Sequence, residues 1–181
     1  MADDDRADDD LDRLVIEQIP HLRRYARALV GNGDRADDLV QDCLERAWSR
    51  LGLWRRDGNM RAWLFTIMHN LNANAVRAAK RRPRHDSIDD AMPHASTPAT
   101  QEDRLHLSAL SNALRQLPEE QRAVVLLVGL EQFRYDEVAT VLDLPIGTVM
   151  SRLHRGRERL RRALSGEVPS GAAGPALRRV K

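Results

Sequence analysis

The sequence predicts an all-α protein: two small helical domains joined by a flexible linker, the second containing a helix-turn-helix. Three observations predict it. Aromatic residues make up only 4% of the chain and runs of β-branched residues are few, which disfavours a sheet. Apolar residues recur at three- and four-residue steps in one segment after another. Residues 83–104 carry three prolines, small polar residues and no apolar period, and so cannot bury enough surface to offset the entropy of ordering.

The domains follow in order. Residues 1–12 hold seven aspartates and read as an acidic disordered tail. Residues 13–82 form a three-helix bundle. Its first helix carries Leu22, Tyr25, Ala26 and Leu29, has Pro20 near its start and stops at Gly31-Asn32-Gly33. The second starts after a cap at Asp34, and Ala36, Leu39, Val40, Cys43, Leu44, Ala47, Trp48 and Leu51 form its apolar stripe. The third runs from Met60 to Lys80 behind a cap at Asn59, with Trp63, Leu64, Ile67, Leu71, Ala75 and Ala78 turned inward. The linker, 83–104, leaves the two domains without a fixed relation. Residues 105–165 then hold four helices, and 166–181 are a second disordered tail. Pro118 ends the first of the four and opens the next, whose run Ala123–Val128 is the buried centre. Tyr135–Leu142 and a helix from Pro145 to Leu164 complete the domain.

Composition excludes several classes of function. No apolar run approaches the ~20 residues of a membrane span, and the acidic N-terminus lacks a signal peptide's apolar core, so a cytoplasmic protein without membrane insertion is expected. One cysteine, Cys43, cannot build a disulfide framework or a multi-thiolate metal site, and its place in an apolar stripe suits a small buried hydrophobe. The six histidines are scattered, and there is no phosphate-binding glycine loop and no nucleophile elbow. No enzyme activity, cofactor or metal is expected.

Charge is segregated beneath a net value of +2. Residues 61–84 carry +6 with no acid, whereas 1–60 and 85–104 each carry −4. Localised basic faces of this kind point to nucleic acid. Ala139, Asp143 and Val149 stand where a helix-turn-helix needs a small contact residue, a sharp turn and an apolar anchor. Asp is tolerable at the turn because it visits positive φ more readily than most residues. An ordinary helical hairpin shares that spacing. Charge separates the two: the last helix sets Arg152, Arg155, Arg157, Arg159, Arg161 and Arg162 against one acid, Glu158, which suits phosphate neutralisation. A second basic surface, Arg77, Lys80, Arg81, Arg82 and Arg84, follows a helix showing His69, Asn70, Asn72 and Asn74. Such residues can hydrogen-bond unstacked bases and track a single strand.

At this point the residues resemble the extracytoplasmic-function (ECF) sigma factors of bacterial RNA polymerase. In the first domain the resemblance rests on Asp37-Asp38-Leu39-Val40-Gln41-Asp42, Arg46-Ala47-Trp48, Arg61-Ala62-Trp63-Leu64-Phe65 and His69-Asn70. In the second it rests on Leu117-Pro118, Gln121-Arg122, Tyr135-Asp136-Glu137-Val138-Ala139 and Gly147-Thr148-Val149 through Ser151-Arg152-Leu153. It covers about residues 15–165.

The resemblance implies a subunit that binds core RNA polymerase and directs it to specific promoters. Asp38, Leu39, Gln41, Asp42, Arg46 and Trp48 match positions that dock on the β′ clamp helices, and the second domain's counterpart is the β flap. Leu39 and Trp48 also lie on the apolar stripe. Asn70 and Asn74 match positions at the pocket capturing the non-template minus-ten strand, with Trp63 in support and Arg77, Lys80, Arg81 and Arg82 on the backbone. Gly147, Thr148, Met150, Ser151, Arg152, His154 and Arg155 match the reader of the minus-thirty-five element. Met150 departs from the family's frequent Lys or Arg and cannot donate to a guanine edge. The partners implied are polymerase, promoter DNA and an anti-sigma factor. A stand-alone helix-turn-helix regulator and a sigma mimic that titrates a regulator are the rival readings.

Overall fold

The computed structural model describes residues 2–54, 58–81 and 101–165, and every regular element among them is helical. The elements are α1 (Ala2–Val30), α2 (Gly33–Trp48), a 3₁₀ turn at Leu51–Leu53, α3 (Met60–Arg81), α4 (Gln101–Arg115), α5 (Glu119–Gly129), α6 (Tyr135–Leu142) and α7 (Ile146–Ser165). This corrects the second helix's expected stripe, because α2 ends at Trp48 and Leu51 starts the 3₁₀ turn instead.

Helix ends follow local chemistry. α1 stops where Gly31 turns to φ +77°, its N–H donating back to the Arg27 carbonyl, as at many glycine-ended helices. Asn32 then caps α2, its Oδ1 accepting from the Arg35 N–H at 2.9 Å. This corrects the expected cap at Asp34, which lies inside the first turn. Asn59 does cap α3, accepting from the Ala62 N–H at 3.1 Å.

Two domain boundaries are corrected. The acidic stretch is not a disordered tail, because α1 begins at Ala2 and leaves Pro20 in mid-helix. Leu11 and Val15 are buried in the core and anchor that early part, and aspartates suit the positive end of a helix. Pro20 is exposed, so the hydrogen bond that it removes faces water. The linker is shorter at its far end: Gln101–Arg104, beyond the last proline Pro98, already belong to α4. Its remainder and the 166–181 tail lie outside the described residues, as do Met1 and residue 82.

α1, α2 and α3 pack around Leu22, Leu29, Val40, Cys43, Leu64 and Met68, and α5, α6 and α7 around Val124, Leu127, Val138, Val141, Val149 and Leu153. These two cores are one continuous cluster. α3 packs on α6 and α1 on α5, so the expectation that the halves lack a fixed relation is also corrected. An aromatic chain joins them: Tyr25 to Phe65 at 5.1 Å between centroids, and Phe65 to Phe133 at 5.0 Å. Phe133, buried beside Phe65, removes apolar surface worth about 1.5–3 kcal/mol from water. α3 therefore buries two faces rather than the one expected, and Ala75 and Ala78 are exposed.

Candidate nucleic-acid and partner surfaces

The second half holds one helix with a long free face. Glu137 accepts from the Arg134 N–H at 2.8 Å and starts α6. α6 ends at Asp143 in the left-handed region (φ 51°, ψ 55°), the conformation expected there. The Leu144 N–H returns to the Ala139 carbonyl at 2.9 Å, and the Pro145 carbonyl accepts from Thr148 and Val149 to launch α7. Val149, Leu153 and Gly156 form the buried stripe of α7, with Gly156 so close to α5 that an added Cβ would stand 2.6 Å from Val125 Cγ2.

That stripe decides what the rest of α7 can meet. Gly147, Met150, Ser151, His154 and Arg155 are all exposed on the far side, and Thr148 is half-buried at its edge. Arg155 folds over Ser151, with Nε 3.2 Å from the carbonyl and Nη2 3.3 Å from Oγ, so the two form one preset donor group. Arg161 and Arg162 extend the face, bridged by Glu158 at 2.7 and 3.1 Å. Arg152 does not join it. Its guanidinium lies on the flank, 2.7 Å from Glu120 of α5.

The first half offers a second basic stripe. At 3.6 residues per turn, Trp63, Asn70, Asn74, Arg77 and Arg81 fall on one side of α3, opposite its buried residues. Asn70, Asn74, Arg77, Lys80 and Arg81 are exposed and Trp63 is half-buried. Arg77 Nη2 donates to Asn74 Oδ1 at 2.8 Å, which fixes an amide and a guanidinium side by side. Arg82 lies outside the described residues.

On α2, Leu39 is a core residue with 7% of its surface exposed. The other docking candidates fall into two sets. Gln41 and Trp48 line an open groove of about 630 Å³ with Val40 and Leu44 of α2 and Arg23 and Arg27 of α1. Asp38, Asp42 and Arg46 are exposed away from it. Trp48 is 43% exposed, and its Nε1 donates to Asp12 Oδ1 at 2.9 Å, so this ring is a surface feature tethered to α1. Arg23 and Arg27 carried no signal, because the period of α1 marks only its apolar face.

A further cluster had no motif. Glu131, with 1% of its surface exposed, accepts from Arg24 Nε at 2.9 Å, Arg24 Nη2 at 3.0 Å and Arg61 Nη2 at 2.8 Å, and lies 3.1 Å from His21 Nδ1. Burial pushes its carboxyl up, but the hydrogen bonds from Arg24, Arg61 and His21 outweigh this and hold it below the usual carboxylate range. A lone acid in the apolar run Leu126–Phe133 was its only trace. Nearby, burial and then Arg152 push the His69 imidazole down, and Asn72 Nδ2 donates to Glu119 at 2.7 Å. Cys43 is buried, its thiol pushed up to about 12 by burial and then by Asp42. Among the described residues no three His, Cys, Asp or Glu side chains are grouped to hold a metal, and no helix is long and apolar enough to cross a membrane.

Known proteins match both halves. Residues 15–69 match the family described as the Sigma2 domain of PhyR, and residues 107–160 match Sigma-70, region 4. The chain is 36% identical over 146 residues to the ECF RNA polymerase sigma factor EcfG of Rhodopseudomonas palustris, covering 81% of this chain and 80% of that one. It is 37% identical over 155 residues to the ECF RNA polymerase sigma factor SigL of Mycobacterium tuberculosis, covering 83% and 86%. Among solved structures it is similar to the sigma factor RpoE of Bartonella quintana, crystallised with the anti-sigma factor NepR. The TM-score is 0.75 at 30% identity, over 88% of this chain and 99% of that one.

Proposed function

Because the chain belongs to the ECF RNA polymerase sigma factors, we propose that it joins core polymerase and selects promoters with two separate surfaces. α7 reads the minus-thirty-five element through Ser151, His154 and Arg155, and the α3 stripe captures the non-template minus-ten strand. The observation that carries this reading is the free, preset Ser151–Arg155 face on a helix seated by the Asp143 turn. Base contacts there give sequence preference, while Gly147 and Thr148 bring the N-terminus of α7 to a phosphate. On α3, splaying a base out costs a few kcal/mol, which stacking and amide hydrogen bonds to Asn70 and Asn74 offset. No nucleotide hydrolysis is needed, and the chain acts as an initiation factor in the cytoplasm rather than as an enzyme.

Polymerase docks along α2. Asp42 and Gln41 are free of the core and meet the β′ clamp helices, and the second half meets the β flap. An anti-sigma factor restrains the protein, supported by the RpoE–NepR complex to which this fold is similar. The test is transcription by core polymerase with and without the protein, read as promoter-specific transcripts. Asp42→Arg should abolish both transcripts and co-purification with core at unchanged stability.

One observation favours a second reading. The match of residues 15–69 is to a domain of PhyR, and PhyR of Bartonella quintana, an anti-anti-sigma factor, is similar in fold. A mimic of that kind would bind an anti-sigma factor without promoter DNA, so failure of the transcription assay with NepR-type binding intact would select it.

A further inference from the structure

The loop between α5 and α6 is built to reach into the first half. Gln132 sits at φ 57°, a left-handed conformation that a glutamine adopts only at a cost. The Glu131 and Phe133 N–H groups on either side are pinned to the Leu126 and Leu127 carbonyls, both at 3.0 Å. This one strained residue sends both neighbours inward. Phe133 meets Phe65 and lies under the Arg61 guanidinium, 4.6 Å from the ring centroid, while Glu131 meets His21, Arg24 and Arg61.

Around this contact the junction is poorly satisfied. Of six buried side-chain polar atoms without a partner among the described residues, four belong to residues at the junction: Tyr25 Oη, Arg61 Nε, His69 Nδ1 and Arg122 Nε. Each would regain water if the halves parted, and a buried group left unpaired is costly. The other two are Gln18 Oε1 of α1 and Oε1 of Gln121, which lies within the second half against Gly156. The junction also brings Arg152 of α7 beside His69 of α3, while its ion pair is with Glu120 of its own half.

We propose that Glu131 is an intramolecular latch, holding the two halves closed through His21, Arg24 and Arg61, and that its release lets them part to engage polymerase and promoter separately. Apolar packing along Tyr25, Phe65 and Phe133 also joins the halves, and Glu131 gathers the charged contacts between them onto one buried carboxylate. Breaking a buried ion pair at one partner is strongly unfavourable to the state that contains it. What the latch guards rests on the function proposed above; the latch itself does not.

The test is the distance between the halves. Dyes at Arg35→Cys and Arg159→Cys, both exposed positions, report it by energy transfer, and small-angle scattering reports it without labels. Glu131→Gln keeps the shape and removes the charge, and should lower the closed-to-open ratio roughly a hundredfold or more. Arg24→Ala, at a half-exposed side chain, should lower it about tenfold while leaving the helices intact. Folded Glu131→Gln and Arg24→Ala proteins with parental transfer and scattering would overturn the latch. If Glu131→Gln does not fold, Arg24→Ala decides alone, and unchanged transfer overturns the proposal. Opening without any change in polymerase or promoter binding would uphold the latch and count only against the reading of what it guards.

Discussion

α3 and α7 are both long, basic helices, yet they divide their surfaces differently. α7 has one buried stripe, Val149, Leu153 and Gly156, and leaves nearly all the rest to solvent. α3 serves three masters: Leu64 and Met68 face its own bundle, Arg61, Phe65 and Asn72 face the second half, and Asn70, Asn74 and Arg77 face outward. A helix with a single apolar stripe can be altered on its free side without disturbing the fold. A helix contacted on two sides cannot, because each face shares its backbone with the others.

Substitutions on each face sharpen that contrast. Leu64→Ala, at the core of the first half, should cost about 2–5 kcal/mol of stability, read by chemical denaturation. Arg155→Ala and Ser151→Ala should leave the melting temperature unchanged and lose about 1–3 kcal/mol of affinity for the upstream element. Equal losses on specific and random duplex would show instead that the pair touches only phosphate. Gly156→Ala tests the α7 stripe. Overpacking against Val125 costs about 1–3 kcal/mol, against about 1 kcal/mol gained in helix propensity, so a modest net destabilisation is expected. A rise in melting temperature would show that Val125 can move aside.

The smallest effect is on the junction face of α3. His69 is held neutral, its pKa lowered, with Arg152 (itself paired to Glu120) facing it from α7 and Glu119 on neighbouring Asn72. The unfolded chain takes up a proton first, so this contribution is whole above the usual pKa of about 6.5 and declines as pH falls through it. Glu131 has the opposite chemistry but the same direction, and loses its contribution only below the usual carboxylate range. Melting should therefore drop modestly between pH 7.5 and 5.5, and His69→Gln should flatten that slope.

The same contrast explains what could be read in the sequence. α7, its Asp143 turn and the exposed Ser151, His154 and Arg155 were legible because one period governs the whole helix. α5 and α6 were legible for the same reason. The second buried face of α3 was not, because Phe65, Arg61 and Asn72 take their partners from residues 47 to 70 positions away, and such pairings leave no local period. Glu131 was invisible for that reason too. The helical start of α1 was missed because composition suggested disorder, whereas Leu11, Val15 and the Asp12–Trp48 bond decide the matter through contacts. Charge and the family match both group Arg152 with its neighbours, and only the packing of α5 against α7 turns it onto the flank.

Cys43 carries a consequence for how this protein can be told of its surroundings. Its Sγ lies 3.5 Å from the Leu64 carbonyl in the first core, and burial pushes its thiol up to about 12, so it stays protonated at neutral pH. Oxidants and alkylating agents react with thiolates, so the sequence's single cysteine is chemically silent in the folded state. An oxidising signal therefore cannot act on this protein through Cys43 while the first core stays closed. For the experimenter the same silence is useful: cysteines introduced on the surface can be modified one at a time with Cys43 left in place.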